Sequence, residues 1–149
     1  MLVEHTPDIY YRFCSLPLAD EIDEIQTIVA EHDIDVIVVD SMGAASGSGS
    51  EESAWHAVAL RYFRALRSLR KTSLSIHHIN KEGTLFGSVY NFNYARNLWE
   101  AKKAQAEGEN TMAIGLFHRK ANSSALMKPL GIAANFTRSM ISFQPVKPI

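Results

Sequence analysis

Asp40 and Ser41 close an apolar run, Ile34-Asp35-Val36-Ile37-Val38-Val39. A carboxylate beside a hydroxyl at the carboxyl end of a strand stands where open α/β sheets take their ligands. A solvated aspartate ending any buried strand gives the same sequence, so this pair alone leaves both readings open. His77, His78 and Asn80 end a second strand-like run. At the end of a strand beside Asp40, His78 or Asn80 could sense a phosphate or hold a water; a hydrogen-bonded structural histidine is the alternative. Strand alternation sends His77 and His78 to opposite faces, which disfavours their sharing one metal. His5, His32, His56 and His118 show no His-Glu-x-x-His or comparable ligand spacing.

The loop from Ser41 to Ser50, rich in glycine and serine, lies between a strand and a helix and is tested as a phosphate cradle. A P-loop needs a lysine after the second glycine of its motif to face the outer phosphates, and none is there. A dinucleotide fingerprint would need Gly-x-Gly-x-x-Gly with an acid about 20 residues on, which the loop does not match. The loop reads as a flexible surface connection that could order over a ligand. For nucleophilic catalysis there is no Gly-x-Ser-x-Gly elbow, and Cys14 has no obvious basic neighbour in the sequence.

The elements that must position these groups follow from periodicity. Ile9 to Cys14 is aromatic and β-leaning and is expected as a short strand, stopped by Ser15 and Pro17. Ile22, Ile25 and Val29 recur at helical spacing between Ala19 and His32, with Asp20, Glu21, Asp23 and Glu24 at the positive end of the helix dipole. The Ile34 to Asp40 run does not alternate, so it is expected as a strand covered on both faces inside a parallel sheet. Ser48 and Glu51 match a capping box. The helix behind them sets Trp55, Val58, Ala59, Tyr62, Phe63, Leu66 and Leu69 on one apolar face. Arg61, Arg64, Arg67 and Arg70 form a separate row, read as a solvated face or as a contact to phosphates or a neighbouring subunit. Strand-like Thr72 to Ile79 then implies a right-handed parallel crossover. Lys81 to Asn93 is expected as a long loop or short helix. Four strand-like runs follow, Ala95 to Lys103, Thr111 to Arg119, Leu126 to Phe136 and Met140 to Val146, with short turns that imply antiparallel hairpins.

The 149 residues fit one domain, residues 1–149, of ordinary globular composition, 46% apolar and 21% charged. The net charge of -1 makes no case for a nucleic-acid or membrane surface, which leaves any such claim to local patches. One cysteine excludes an internal disulfide and fits a reducing compartment, with Cys14 expected as a small buried hydrophobe. No leader pattern and no apolar stretch of about 18 residues occurs, so a cytoplasmic location without membrane contact is expected.

Four blocks taken together carry a resemblance: Ile34 to Gly43; Ser75-Ile76-His77-His78-Ile79-Asn80-Lys81-Glu82; Phe86-Gly87-Ser88 leading to Ala95-Arg96-Asn97-Leu98-Trp99-Glu100; and Phe117-His118-Arg119-Lys120-Ala121-Asn122. In order and spacing they resemble successive blocks of RecA-like ATPases, the branch of RepA-type and DnaB-type replicative helicases, over about Ile9 to Phe136. The resemblance implies an α/β fold, a mostly parallel sheet flanked by helices with antiparallel strands at its carboxyl-terminal end. It implies ATP and Mg2+ as cofactors, with Asp40 as the Walker B acid holding the magnesium through water, and Ser41, Asn80 and Lys81 as nucleotide contacts. It further implies His78 as the sensor of the terminal phosphate. Arg119 and Lys120 match the basic pair that reaches an adjacent subunit's nucleotide, a solvated hairpin end being the bland alternative.

Such ATPases begin with a strand, a Gly-x-x-x-x-Gly-Lys-Ser/Thr loop and a helix, followed by a water-activating acid. None of these precedes Ile9. The chain therefore reads as the second half of a RecA-like core, either a fragment or a truncated relative, with hydrolysis by the chain alone not expected. A homo-oligomer and DNA contact through a larger assembly are the expected partners. The alternative function is a non-catalytic α/β module that self-associates through surface the missing elements leave uncovered.

Overall fold

The computed structural model describes residues 8–47, 52–78 and 89–149, without the side chains of 52–55 and 89–90. Two compact units divide the chain, one up to Asn91 and one from Phe92. In the first, α1 (Ile22–Glu31), β1 (Val36–Asp40), α2 (Met42–Ser46), α3 (Glu52–Ser68) and β2 (Thr72–Ile76) follow in order, and α4 (Val89–Tyr94) begins before the division. β1 and β2 are parallel, paired from Val36 with Thr72 to Asp40 with Ile76, as the expected crossover through α3 requires. The core gathers around Tyr62, 1% exposed, with Leu18, Ile25, Val29, Met42, Leu66 and Leu69. Tyr62 is where a large ring can be buried with its hydroxyl satisfied: Tyr62 Oη and Ser75 Oγ share a hydrogen bond of 2.6 Å. Burial pushes the Tyr62 phenol pKa up, and the Ser75 bond opposes that shift.

Three sequence expectations change here. Ile9 to Cys14 has no strand partner among the described residues. The segment packs along a helix instead: Tyr10 stacks on His32 at 4.2 Å, and Arg12 forks onto Glu24 at 2.6 and 2.7 Å and Glu21 at 3.0 Å. Ile9, Tyr11 and Phe13 on the other side are exposed. Second, β1 is covered on one face only. Ile37 and Val39 pack on the core, while Val36 and Val38 are 55% and 59% exposed, because α1 and α3 supply the core against one side of the pair. Third, the loop after Ser41 begins as helix α2 rather than a flexible connection: Met42 is buried, and Ala45 donates its N–H to Ser41 O at 3.0 Å and accepts one from Leu18 at 2.8 Å. Gly47, at φ +84°, ends α2 with Pro17 Cγ 3.0 Å from where a β-carbon would stand, so any side chain there is strained and crowded. Ser48 to Ser50, Glu51 and the Trp55 side chain lie outside the described residues, as do the Phe86-Gly87-Ser88 block and the sequence from Ile79 to Ser88.

The second unit is an antiparallel sheet in the order β3 (Asn97–Ala104), β4 (Thr111–Ala121), β5 (Leu130–Phe136), β6 (Ile141–Val146). These are the expected hairpins, forming a sheet of their own. A bulge between Leu98 and Trp99 breaks the β3–β4 register. β5 begins at Leu130 rather than Leu126, since Pro129 has no ladder donor and the Met127 N–H goes to His118 Nδ1 at 3.0 Å. Ala133 and Ala134 are buried, and a β-carbon at Gly131 would collide with the Val146 carbonyl oxygen, so small residues let the chain after β6 cross this strand closely.

Candidate functional site

The first unit brings Asp40, Ser41 and His78 to one end of one strand pair. Asp40 ends β1 opposite Ile76, the last residue of β2, so the chain leaves both strands at the same edge: Asp40 and Ser41 from one, His77 and His78 from the other. The Asp40–Ser41 peptide is cis. Asp40 and His78 are exposed, as groups addressing a ligand from solvent would be.

Alternation separates the two histidines as read from the sequence. His77 is half-buried, and Asn91 Nδ2 donates to its Nε2 at 3.1 Å, tying the end of β2 to α4. Met42, Gly43, Ser46, Val58, Ala59, His77 and Asn91 line a small cavity. Sequence reading gave the site role to His78, weighed His77 only as a metal partner, and gave Asn91 no role. Alternation, already read there, requires one of two adjacent histidines to turn inward. Asn80 and Lys81 lie outside the described residues.

Arg119 and Lys120 sit on β4 of the second unit. Arg119 Nε meets Glu100 Oε2 at 2.7 Å across the β3–β4 pair, and that guanidinium holds the Glu100 carboxyl below its usual range. Lys120 Nζ reaches the carbonyls of Phe92, Asn93 and Ala95 at 2.7, 3.0 and 2.8 Å, satisfying acceptors that the end of α4 leaves open. Both cations therefore have partners within their own unit.

Among the described residues no group of three or more His, Cys, Asp or Glu side chains could hold a metal ion, so a cation at Asp40 would keep most of its ligands as water or ligand oxygens. Cys14 does have a basic neighbour: it lies against Arg12 and Glu21, and partial burial raises its thiol pKa. No helix among the described residues is long and apolar enough to cross a membrane.

This α/β arrangement, a parallel pair carrying the acid and a carboxyl-terminal antiparallel sheet, is a RecA-like fold. A KaiC-like protein of the hyperthermophilic archaeon Pyrococcus horikoshii OT3 shares it, with a TM-score of 0.60 at 16% sequence identity over 86% of this chain. The chain spans 57% of the length of that protein. No protein-family model matches the sequence. No curated protein matches it either.

Proposed function

We propose that this chain is part of the core of a RecA-like nucleotide hydrolase, DNA-associated and of the helicase or recombinase type, working in a homo-oligomer. The observation that carries the reading is the convergence of Asp40 and Ser41 with His77 and His78 at the carboxyl ends of two paired parallel strands. The exposed Asp40 carboxylate beside the Ser41 hydroxyl fits a magnesium ion held through water. When bound, Mg2+ and ATP would supply the electrophilic phosphorus and its charge neutralisation. Asp40 orients the cation's water, Ser41 contacts the nucleotide, and His78 senses the terminal phosphate from the adjacent strand end; Asn80 and Lys81 are further nucleotide contacts in this reading. Arg119 and Lys120 act across a subunit boundary, which for Arg119 means exchanging Glu100 for phosphate oxygens.

Hydrolysis by the chain alone stays at background, since no Gly-Lys-Ser or Gly-Lys-Thr occurs in its 149 residues. Amide shifts on adding millimolar MgATP are the test. Changes centred on Asp40, Ser41 and His78, weaker in Asp40→Asn, support the reading; changes confined to other residues overturn it.

A second reading, a self-associating module without catalysis, is favoured by one specific surface. Val36, Val38, Leu74 and Ile76 form an uncovered apolar face of 40% to 59% exposed residues on a parallel pair, a class of sheet normally buried on both sides. Light scattering reading 16.6 kDa at every concentration would remove both the module and the homo-oligomer.

A further inference from the structure

The paired register of β1 and β2 ends at Asp40 and Ile76, so His77 and His78 lie past it. α4 holds that end from the side. Asn91, 8% exposed, donates from Nδ2 to His77 Nε2 at 3.1 Å. A ring whose Nε2 accepts carries its proton on Nδ1, the tautomer that a free histidine side chain disfavours. His77 and Asn91 also line one cavity with Met42 and Gly43, the two residues that follow Ser41.

α4 is six residues long, about 9 Å at about 1.5 Å per residue. Isolated helices below about 12 to 15 residues are marginal in water, so α4 depends on what grips it from outside. In its first half the grip is the Asn91 bond to His77. At its other end the last turn holds no basic residue of its own to meet the negative pole of the helix dipole. Lys120 supplies that cation from β4. Its ammonium directs three bonds to the Phe92, Asn93 and Ala95 carbonyl oxygens, as described above, and its Nζ lies 5.0 Å from the Phe92 ring centroid. The lysine stands on a rigid base, because β4 is paired with β3, the strand that follows α4. Leu98 faces Lys120 there, and the Asn122 N–H donates to the Arg96 carbonyl at 3.0 Å.

We infer that Lys120 is a positioning residue for the end of β2: it fixes the end of α4, α4 fixes Asn91, and Asn91 sets the ring and tautomer of His77 beside His78. Three ammonium protons on three carbonyls leave none for another ligand. Reaching a neighbour's phosphate, the role proposed above, therefore requires Lys120 to release α4 and with it His77. The inference rests on the nucleotide-site reading for what His78 faces, and it adds to that reading a regulation in which the hold in cis and the reach in trans exclude each other.

The test is nitrogen-15 NMR of the histidine rings in the full chain at pH 8, without nucleotide or metal. The His77 signals are assigned by their loss in His77→Gln. In the parent, His77 should be protonated on Nδ1, and Asn91→Ala should return it to the ordinary form protonated on Nε2. Lys120→Met should produce the same return, although it leaves Asn91 and His77 untouched, and should speed amide exchange of Asn93 and Tyr94 about tenfold or more, the effect of one lost charge-assisted hydrogen bond. Lys128→Met, which removes an exposed lysine of the same unit, should leave His77 as in the parent.

Circular dichroism melts show which variants keep the fold. If Lys120→Met does not, Asn91→Ala decides the matter from the other side, because coupling is reciprocal. Exchange of the Lys120 ammonium protons with water should then be about tenfold or more faster in Asn91→Ala than in the parent. A parent His77 protonated on Nε2 overturns the inference. So does a folded Lys120→Met with the parent's His77 tautomer, ammonium exchange unchanged in Asn91→Ala, or a Lys128→Met that matches Lys120→Met. Because nucleotide and metal are left out, failure here leaves the Asp40 reading standing, and failure of the MgATP shifts leaves the hold on His77 intact.

Discussion

The unit up to Asn91 is held by side chains and the unit from Phe92 by backbone. In the first, a helix face closes on a short parallel pair around Tyr62, and every large buried side chain of the hydrophobic cluster belongs to it. In the second, four strands satisfy one another's amides, and the buried apolar residues are Ala133 and Ala134. The contrast assigns different work to each. A packed unit can hold a carboxylate and a histidine in fixed relation at strand ends, where small displacements matter. A ladder with small interior residues is held by its amides and asks little of side-chain packing.

The comparison breaks most readily at the packed unit. Leu66→Ala should lower stability by about 2 to 5 kcal/mol, through lost transfer energy and the cavity left beside Tyr62. Urea denaturation measures it, and an unchanged midpoint would mean the α3 face is not the core. In the laddered unit the corresponding weak point is backbone crowding. Gly131→Val should cost about 1 to 3 kcal/mol as β5 and the chain after β6 are forced apart, read as faster amide exchange in β5 and β6 than in β1. Tyr62→Phe separates packing from hydrogen bonding: it keeps the ring and strands Ser75 Oγ, for an expected loss of about 0.5 to 1.5 kcal/mol by the same denaturation.

Much of the first unit was legible in the sequence, since Ile22, Ile25 and Val29 and the α3 face follow one period and one element decides each. The hairpins were legible because turn residues bracket them. What could not be read depended on partners distant in sequence. Arg12 forking onto α1 is why Ile9 to Cys14 is not a strand, and no local pattern announces that. Val36 and Val38 are as apolar as Ile37 and Val39, so which pair would stay exposed rested on how many layers surround β1. Trp99 stacks on His118, ring centroids 4.3 Å apart, because the bulge at Leu98 shifts the register that simple alternation would assign. At the candidate site, Asp40 and His78 were visible as polar residues ending apolar runs, while Asn91 was not, lying 14 positions from the His77 it bonds.

The smallest expected effect concerns the Arg12 fork. Leu16's backbone N–H and Arg12 lower the Glu21 pKa, and Arg12 lowers that of Glu24. Folded values below the unfolded ones give stability that is full above the ordinary carboxylate range and disappears as pH falls through the lowered values. Arg12→Ala should therefore be slightly less stable than the parent at neutral pH, and the two melting temperatures should converge below about pH 4. A gap that widens on acidification would reverse the sign of this argument.

The central claim is that the ends of β1 and β2 form a cation and phosphate site, and Mn2+ reports on it directly. With ATP present, substoichiometric Mn2+ should broaden the amide resonances of Asp40, Ser41 and His78 ahead of all others, and Asp40→Asn should abolish that preference. Broadening centred on any other acidic cluster of the chain, or unchanged in Asp40→Asn, would contradict it.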